Sequence, residues 1–575
     1  MTLCWHGAVQ SDEVAQLGPL ALIQPLLDQL DITGIIDGHL PPDPQLEFSY
    51  GSVLSLLVAA RLCEPTALSQ ISTWAEATGA DIVWNIPADK LNDDRLGRAL
   101  DAFFQQRHSI MASATNQALR LVQGDLQRVH FDPTDLIFCG AYESSQPRPQ
   151  TPLEELLGDS HMSPAHIRHG YRGKELRIQC GASAVVDDLG AIPIFNQPLD
   201  GNRNGFTAIR EQYQLLKQHL SLPNNLLMVS DRGTLSIDHV ARLFRNGHHV
   251  LCSAPWNDYR AFYEQHAATL QWQTASFLSI EQRRRRECSS TLPLEDYKIA
   301  VVKHDLTDPT NGDSIPARLI FVRSSADAKE VKKRRQDNIA AIQAGLEKIA
   351  VKVSRAHPRS TPASITKQIV RLLGKKAVAK HFHWELLPLT PEEQAAAPPL
   401  ARGFKQPTHR LVFRFDAAAA EADATHDGLA VLLTTAPPTR SGDELFTMFK
   451  QQNFIELLHH QWKTPLAVRP VFLHSPERVE ALVCLMQIAL QAYQVLERRY
   501  RQTVAADAPV RAQRMTAESL LRAFKGYGLL VRHTRVGRVI HATRLSTQQR
   551  RILNQLSLPT PAQTLVRRLP PLPTG

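Results

Sequence analysis

The sequence predicts an α/β fold: a mixed sheet flanked by helices, interrupted by an insertion domain and preceded by an all-helical amino-terminal domain. Three observations predict it. Residues 126–138 (LQRVHFDPTDLIF) and 226–233 (LLMVSDRG) are short apolar runs of the buried-strand type, the second followed by a glycine turn. Residues 1–122 carry apolar side chains at helical spacing. A chain of 575 residues with 43% hydrophobic content is long enough for several cores.

The elements follow in order. ALIQPLLDQLDI, SVLSLLVAARL and RLGRALDAFFQQR make residues 1–122 helical. Residues 123–255 form the first part of a core, with strands near 128–138, 175–187, 190–196, 225–230 and 248–253 and a helix over 206–221. The polar, proline-bearing stretch 140–168 reads as a loop. Residues 256–425 form an insertion with strands near 297–303, 317–323 and 410–414 and a basic helix over 328–353. The strand DGLAVLLTT (427–435) opens the second core part, 426–505, which ends in a long helix over 475–501. A basic region, 506–575, closes the chain, and LSTQQRRILNQL (545–556) within it reads as a short helix.

The candidate chemistry lies on three carboxylates. Asp132 sits within the first strand and Asp231 at the carboxyl end of another, where α/β sheets open their sites. Glu456 is the one carboxylate in FKQQNFIELLHHQWK (449–463), a helix expected to start at Ser441 with Glu444 completing a capping box. Counted along one continuous helix from Phe449, Gln452, Glu456 and Lys463 share a face. Three carboxylates of this kind suit two divalent ions that clamp the attacking and leaving oxygens of a phosphodiester.

These segments resemble the DDE transposases of bacterial insertion sequences, specifically the insertion-sequence-four superfamily with its Tyr-x2-Arg-x3-Glu-x6-Lys helix. VHFDPTD (129–135) is similar to the family's first-aspartate strand. Residues 170–205 are similar to the hairpin that follows it, ending on Gly201 and Asn202. VSDRG (229–233) resembles the second-aspartate motif, and LNDDRLGRALD (91–101) and residues 468–501 resemble flanking helical segments. The resemblance implies an RNase H-like core and a DNA transposase. It implies that Asp132, Asp231 and Glu456 hold two Mg²⁺ ions, with Mn²⁺ able to substitute. It further implies that Lys463 holds a phosphate, that the partner is double-stranded DNA at transposon ends and target, and that protomers self-assemble on it. The expected location is the bacterial cytoplasm, at the nucleoid, with no small-molecule substrate.

The chain departs from the signature at Phe449 and Gln452, which stand where the family has Tyr and Arg, and Pro133 demands an edge or bulge in its strand. Gln452 and Phe449 are still expected to face DNA, so restoring Arg and Tyr is expected to tighten end binding. Trp462 is a candidate for stacking on an unpaired base. A metal-dependent DNA nuclease of the same fold, or a catalytically decayed DNA-binding relic, fits the same residues.

Charge adds a footprint. The net charge is +9, yet residues after Glu518 hold ten Lys and Arg and no acid, which leaves the remainder at −1. Arg550 and Arg551 lie in that region. Arg283 and Arg284 belong to a run of four arginines in a loop-like context, and Lys332 and Lys333 lie on the basic helix. All are candidate phosphate-backbone contacts. Removing the basic end is expected to weaken binding to any duplex. Seven scattered cysteines without a C-x-x-C pair indicate neither zinc module nor disulfide framework. No apolar run of 18 residues predicts a membrane span, and the first residues lack a signal-peptide pattern.

Overall fold

A computed structural model describes residues 9–138, 164–170, 175–203, 205–231, 236–289, 297–354, 361–396, 407–464, 473–534 and 537–568. The loop expected at 140–168 lies almost wholly outside them.

The chain opens with a strand, β1 (Val9–Ala15), before the helices. Helices α1 (Leu20–Gln29), α2 (Tyr50–Cys63) and α3 (Asp93–Val122) then build the amino-terminal unit. The last two start on side-chain caps: Ser49 accepts from the Ser52 N–H and Asn92 from the Arg95 N–H. α2 is buried along nearly its whole length, as its SVLSLLVAARL composition requires.

The core sheet follows. Strands β2 (Arg128–Phe138), β3 (Leu176–Asp187) and β4 (Gly190–Asp200) form an antiparallel meander. Helix α4 (Gly205–His219) crosses to β5 (Leu227–Ser230), and α5 (Ile237–Arg245) crosses to β6 (His249–Ala254). β5 runs parallel to β2, and β6 parallel to β5. The order β4–β3–β2–β5–β6, a meander plus two strands parallel to its first, is RNase H-like. Beyond Phe131, among the described residues, β3 alone pairs with β2, so Pro133 stands on a local edge, where its missing N–H costs no ladder bond.

The insertion extends this sheet. After the arginine-bearing helix α6 (Ile280–Cys288) come β7 (Tyr297–Lys303) and β8 (Arg318–Ser324). Helices α7 (Ser325–Ser354) and α8 (Pro362–Leu373), with the hairpin β9 (Phe382–Pro388) and β10 (His409–Phe415), enclose a small separate core around Ile342, Leu346 and Ile369. β11 (Leu429–Thr434) then returns and inserts between β6 and β8, giving ten strands in all.

Two short helices, α9 (Gly442–Lys450) and α10 (Asn453–Lys463), lead to α11 (Pro476–Gln502). α11 is buried on nearly every face, packing on α3, α2 and β4. By length and apolarity it would suffice to cross a membrane, and that whole stretch is buried in protein. The short helices α12 (Val510–Gln513) and α13 (Ala517–Arg522), strands β12 (Leu529–Thr534) and β13 (Gly537–Ala542), and helices α14 (Thr547–Gln555) and α15 (Pro561–Arg568) complete the chain. β12 pairs with both β13 and β1, so the chain's two ends share a three-stranded sheet.

Candidate active site

Parallel pairing brings two of the carboxylates together. Phe131 of β2 lies opposite Ser230 of β5, and Asp132 and Asp231 are the next residue along each strand. Both therefore emerge where β5 ends and the sheet opens. Asp231 is exposed and accepts a hydrogen bond from the Ser253 hydroxyl on β6 (2.9 Å). The residues that follow it, Arg232 and Gly233, lie outside the described residues.

Helix α10 packs across β2, β3 and β4 and supplies the third carboxylate. Glu456 is exposed in its first turn, where the helix dipole favours an anion. His459 and Lys463, three and seven residues on, share its face. The His459 Nδ1 lies 3.4 Å from Asp132 Oδ2.

The three acids lie near enough for their charges to act on one another. Burial pushes the Asp132 carboxyl up to about 7, and the nearby charges of Asp231 and Glu456 push it the same way, with Lys463 opposing. Burial holds the His459 imidazole neutral, down to about 3, and Lys463 adds to that shift. Acids crowded in this way suit a hard divalent cation, because oxygen ligands of this type are what Mg²⁺ takes and its charge would cancel their repulsion. Among the described residues no three His, Cys, Asp or Glu side chains stand close enough to enclose an ion. The donor chemistry fits the metal; the enclosure would have to draw in on binding it.

Several residues expected at the DNA take other roles. The expected continuous helix over 441–463 breaks at Gln451–Gln452, between α9 and α10. Phe449 is thereby on a different helix from Glu456, and its ring packs against an apolar cluster that includes Leu445, Phe446 and Ile299. Gln452, expected to face DNA, points inward. It is 8% exposed, its Oε1 pairs with His130 Nδ1 (2.6 Å), and its Nε2 donates to the Phe131 carbonyl (3.2 Å). Gln452 thus pins the start of α10 to β2 beside Asp132. Trp462, 2% exposed, is part of the main core, so its ring has no open face for a base.

The cationic candidates lie on other elements. Arg283 and Arg284 are exposed on α6, a helix and not a loop, because Ser279 and Gln282 form a full capping box. Lys332 and Lys333 are exposed on α7, whereas Arg335 beside them is held by Asp427. Arg550 and Arg551 are exposed on α14. Only Lys463 among the expected cations acts electrostatically on Asp132.

Three contributing residues escaped sequence reading: His459, His130 and Ser253. His459 was findable, being on the helical face of Glu456 and Lys463. Ser253 was not, since its role depends on β6 lying beside β5.

Residues 12–113, spanning α1, α2 and most of α3, match a family described as "Domain of unknown function (DUF4277)". No curated protein sequence matches the chain. Among solved structures, the chain is similar to one described as "Cryo-EM structure of piggyBac transposase synaptic complex with hairpin DNA (SNHP)", at 10% identity and a TM-score of 0.33, over 96% of this chain and 88% of that one.

Proposed function

We propose that this protein is a DNA transposase of the DDE type, of the insertion-sequence-four branch, which cuts element ends and joins them to target DNA. The observation that carries the reading is the register of β2 and β5, which sets Asp132 and Asp231 side by side at the open end of an RNase H-like sheet, with α10, the helix that carries Glu456, packed across β2. The sequence motifs around each acid support it independently.

Asp132, Asp231 and Glu456 would hold two divalent ions, which when bound supply Lewis-acid activation of the attacking oxygen and neutralise the leaving one. The chain's own residues prepare that site. Ser253 fixes one oxygen of Asp231. His459, neutral and buried, can donate its Nδ1 proton to Asp132 and orient that carboxylate without adding charge. Gln452 and His130 fix the start of α10 against β2, which sets where Glu456 reaches. Lys463 adds a positive charge at the same centre and would hold a phosphate there.

The test is cleavage and strand transfer on DNA carrying the element's terminal repeats, in Mg²⁺. Glu456→Gln, an exposed and near-isosteric change, should abolish both while leaving DNA binding and the melting temperature intact. Wild-type cleavage by Glu456→Gln would overturn the site. Nicking by the wild type without joining would make the protein a nuclease. Duplex binding without cleavage at any Mg²⁺ or Mn²⁺ concentration would make it a relic.

A further inference from the structure

Among the described residues, Arg514 is an arginine without a carboxylate partner, set beside other cations. It follows α12 and lies over the ring of Phe454, on the catalytic helix, with its guanidinium carbon 5.2 Å from the ring centre. Its Nη1 is buried and unbonded, and among the described residues no carboxylate pairs with it. Burial, together with the charges of Arg501 and Arg283, depresses it to about 10. Arg501 is otherwise engaged, with Glu497 and with the Leu189 and Met515 carbonyls. Asp187 and Asp188 are near enough to be felt, but Arg498 holds the first and Gln451 the second.

Helix α6 brings Arg283 here from far away in the chain. Its Glu287 accepts the Val510 N–H at 2.6 Å, which locks α6 against α12. With Glu287 used at that joint and Glu281 paired to Arg285, α6 has no acid left for its other arginines. Arg283, Arg284 and, on α12, Arg511 are exposed and make no ion pair with a described residue. A buried guanidinium edge left unbonded beside Arg283 costs the free protein stability, and fixed guanidinium groups are the usual fork for phosphate oxygens.

We propose that Arg514, Arg283, Arg284 and Arg511 form a seat for the phosphodiester backbone of duplex DNA, at the amino-terminal end of the catalytic helix. Two segments remote in sequence build it, and the stacking on Phe454 ties its position to Glu456, two residues further along. The seat's place on a path into the carboxylate site rests on the transposase reading; its binding of DNA backbone does not.

The experiment is a salt series on the affinity of the full-length protein for a random-sequence duplex, without divalent metal. Arg514→Gln, Arg514→Lys and the double change Arg283→Gln with Arg284→Gln are compared with the wild type. The slope of log affinity against log salt should flatten in the Gln variants by about 0.9 for each phosphate no longer neutralised, and Arg514→Lys should retain the wild-type slope. The melting temperature of Arg514→Gln should not fall, because a source of like-charge repulsion has been removed. Wild-type slopes in both Gln variants would overturn the seat. The Arg283/Arg284 pair is exposed on a helix surface, so it reads the proposal even if Arg514→Gln fails to fold. Flattened slopes in a protein that never cleaves DNA would sink the transposase reading alone. Unchanged slopes in a protein that cleaves would sink the seat alone.

Discussion

Gln452 is the residue at which sequence likeness and physical setting diverge most. A family arginine restored there would enter a site 8% exposed, lose the oxygen that pairs with His130 Nδ1, and offer only donors in its place. The buried imidazole, itself held at about 3 by burial, would be left facing a positive charge. Gln452→Arg should therefore destabilise the protein by about 2–3 kcal/mol in urea denaturation and lower cleavage, the reverse of what the signature suggests. Asp132 gives a second prediction through pH. Its folded value of about 7 lies above the ordinary carboxyl value of 3.8, so its contribution to stability is full below about 4 and is lost as pH rises through 7. His130 and His459 act oppositely: lowered from 6.5 to about 3, they contribute stability above about 6.5 that is lost on acidification. The difference between wild type and Asp132→Asn isolates the first effect. In the absence of divalent cation, Asp132→Asn should gain stability relative to wild type as pH rises from about 4 to about 7, the window between the two Asp132 values, as read from denaturation midpoints. Added Mg²⁺ should cancel that gain, and a flat difference curve would mean that Asp132 is not crowded by its neighbours.

At the scale of elements, most of the fold was legible because strands and helices here obey their local patterns. The run VHFDPTDLIF became β2, LLMVS became β5, and the amphipathic stretch 328–353 became most of α7. What failed to show was decided by distant partners. Nothing in FKQQNF forbids a continuous helix, since glutamine is a good helix former. The break between α9 and α10 is held from outside, by Asp188 accepting from Gln451 (2.7 Å) and by His130 and Phe131 engaging Gln452. The strand β1 was hidden for a similar reason: VQSDEVA lacks an apolar alternation, and it is a strand because β12 offers it a ladder from the other end of the chain. The three candidate acids were named from their motifs, and His459 could have been added from its helical face, whereas Ser253 could not, because it meets Asp231 only after β6 has aligned beside β5. The held break makes its own prediction. Asp188→Ala removes a charged acceptor from Gln451 at a site remote from the acids in sequence, and should cost about 1.5–3 kcal/mol of stability. It should also slow single-turnover cleavage severalfold with DNA affinity unchanged, because it loosens the start of the helix that carries Glu456. Unchanged turnover would show that the break is maintained by Gln452 alone.

For the whole molecule, the question is how the helical beginning, the sheet and the basic end act as one body. α11 is the shared axis: Glu480 on it pairs with Arg107 of α3 at 2.6 Å, both side chains 4% exposed, and also accepts the Ala165 N–H. Arg107→Met should cost about 3–5 kcal/mol, because it strands a buried carboxylate, and adding Glu480→Gln should return part of that loss. The basic end is bound into the same body. β12 pairs along β1, the Gln29 side chain donates to the Ser557 carbonyl (3.2 Å), Arg499 donates to the Leu556 carbonyl (2.6 Å), and Leu520, Leu521, Phe524 and Leu529 are buried. Removing everything from Ser519 onward would therefore strip the edge of β1 and delete four large buried apolar side chains, each worth about 1.5–3 kcal/mol of burial, uncovering the core surface they pack on. Such a truncated protein should melt at lower temperature or aggregate, so its loss of DNA binding would say nothing about charge. The basic end is better probed where it is exposed. Arg550 and Arg551 project from α14, whose buried side is Gln549, Ile552 and Leu553, so changing both arginines to Gln leaves the packing intact. If both touch phosphate, the salt slope of duplex binding should flatten by about 1.8, from about 0.9 for each arginine, equally for terminal-repeat and random DNA. A selective loss on terminal-repeat DNA would make α14 a reader of sequence, and an unchanged slope on both would leave these two arginines as solvated charges on a structural helix.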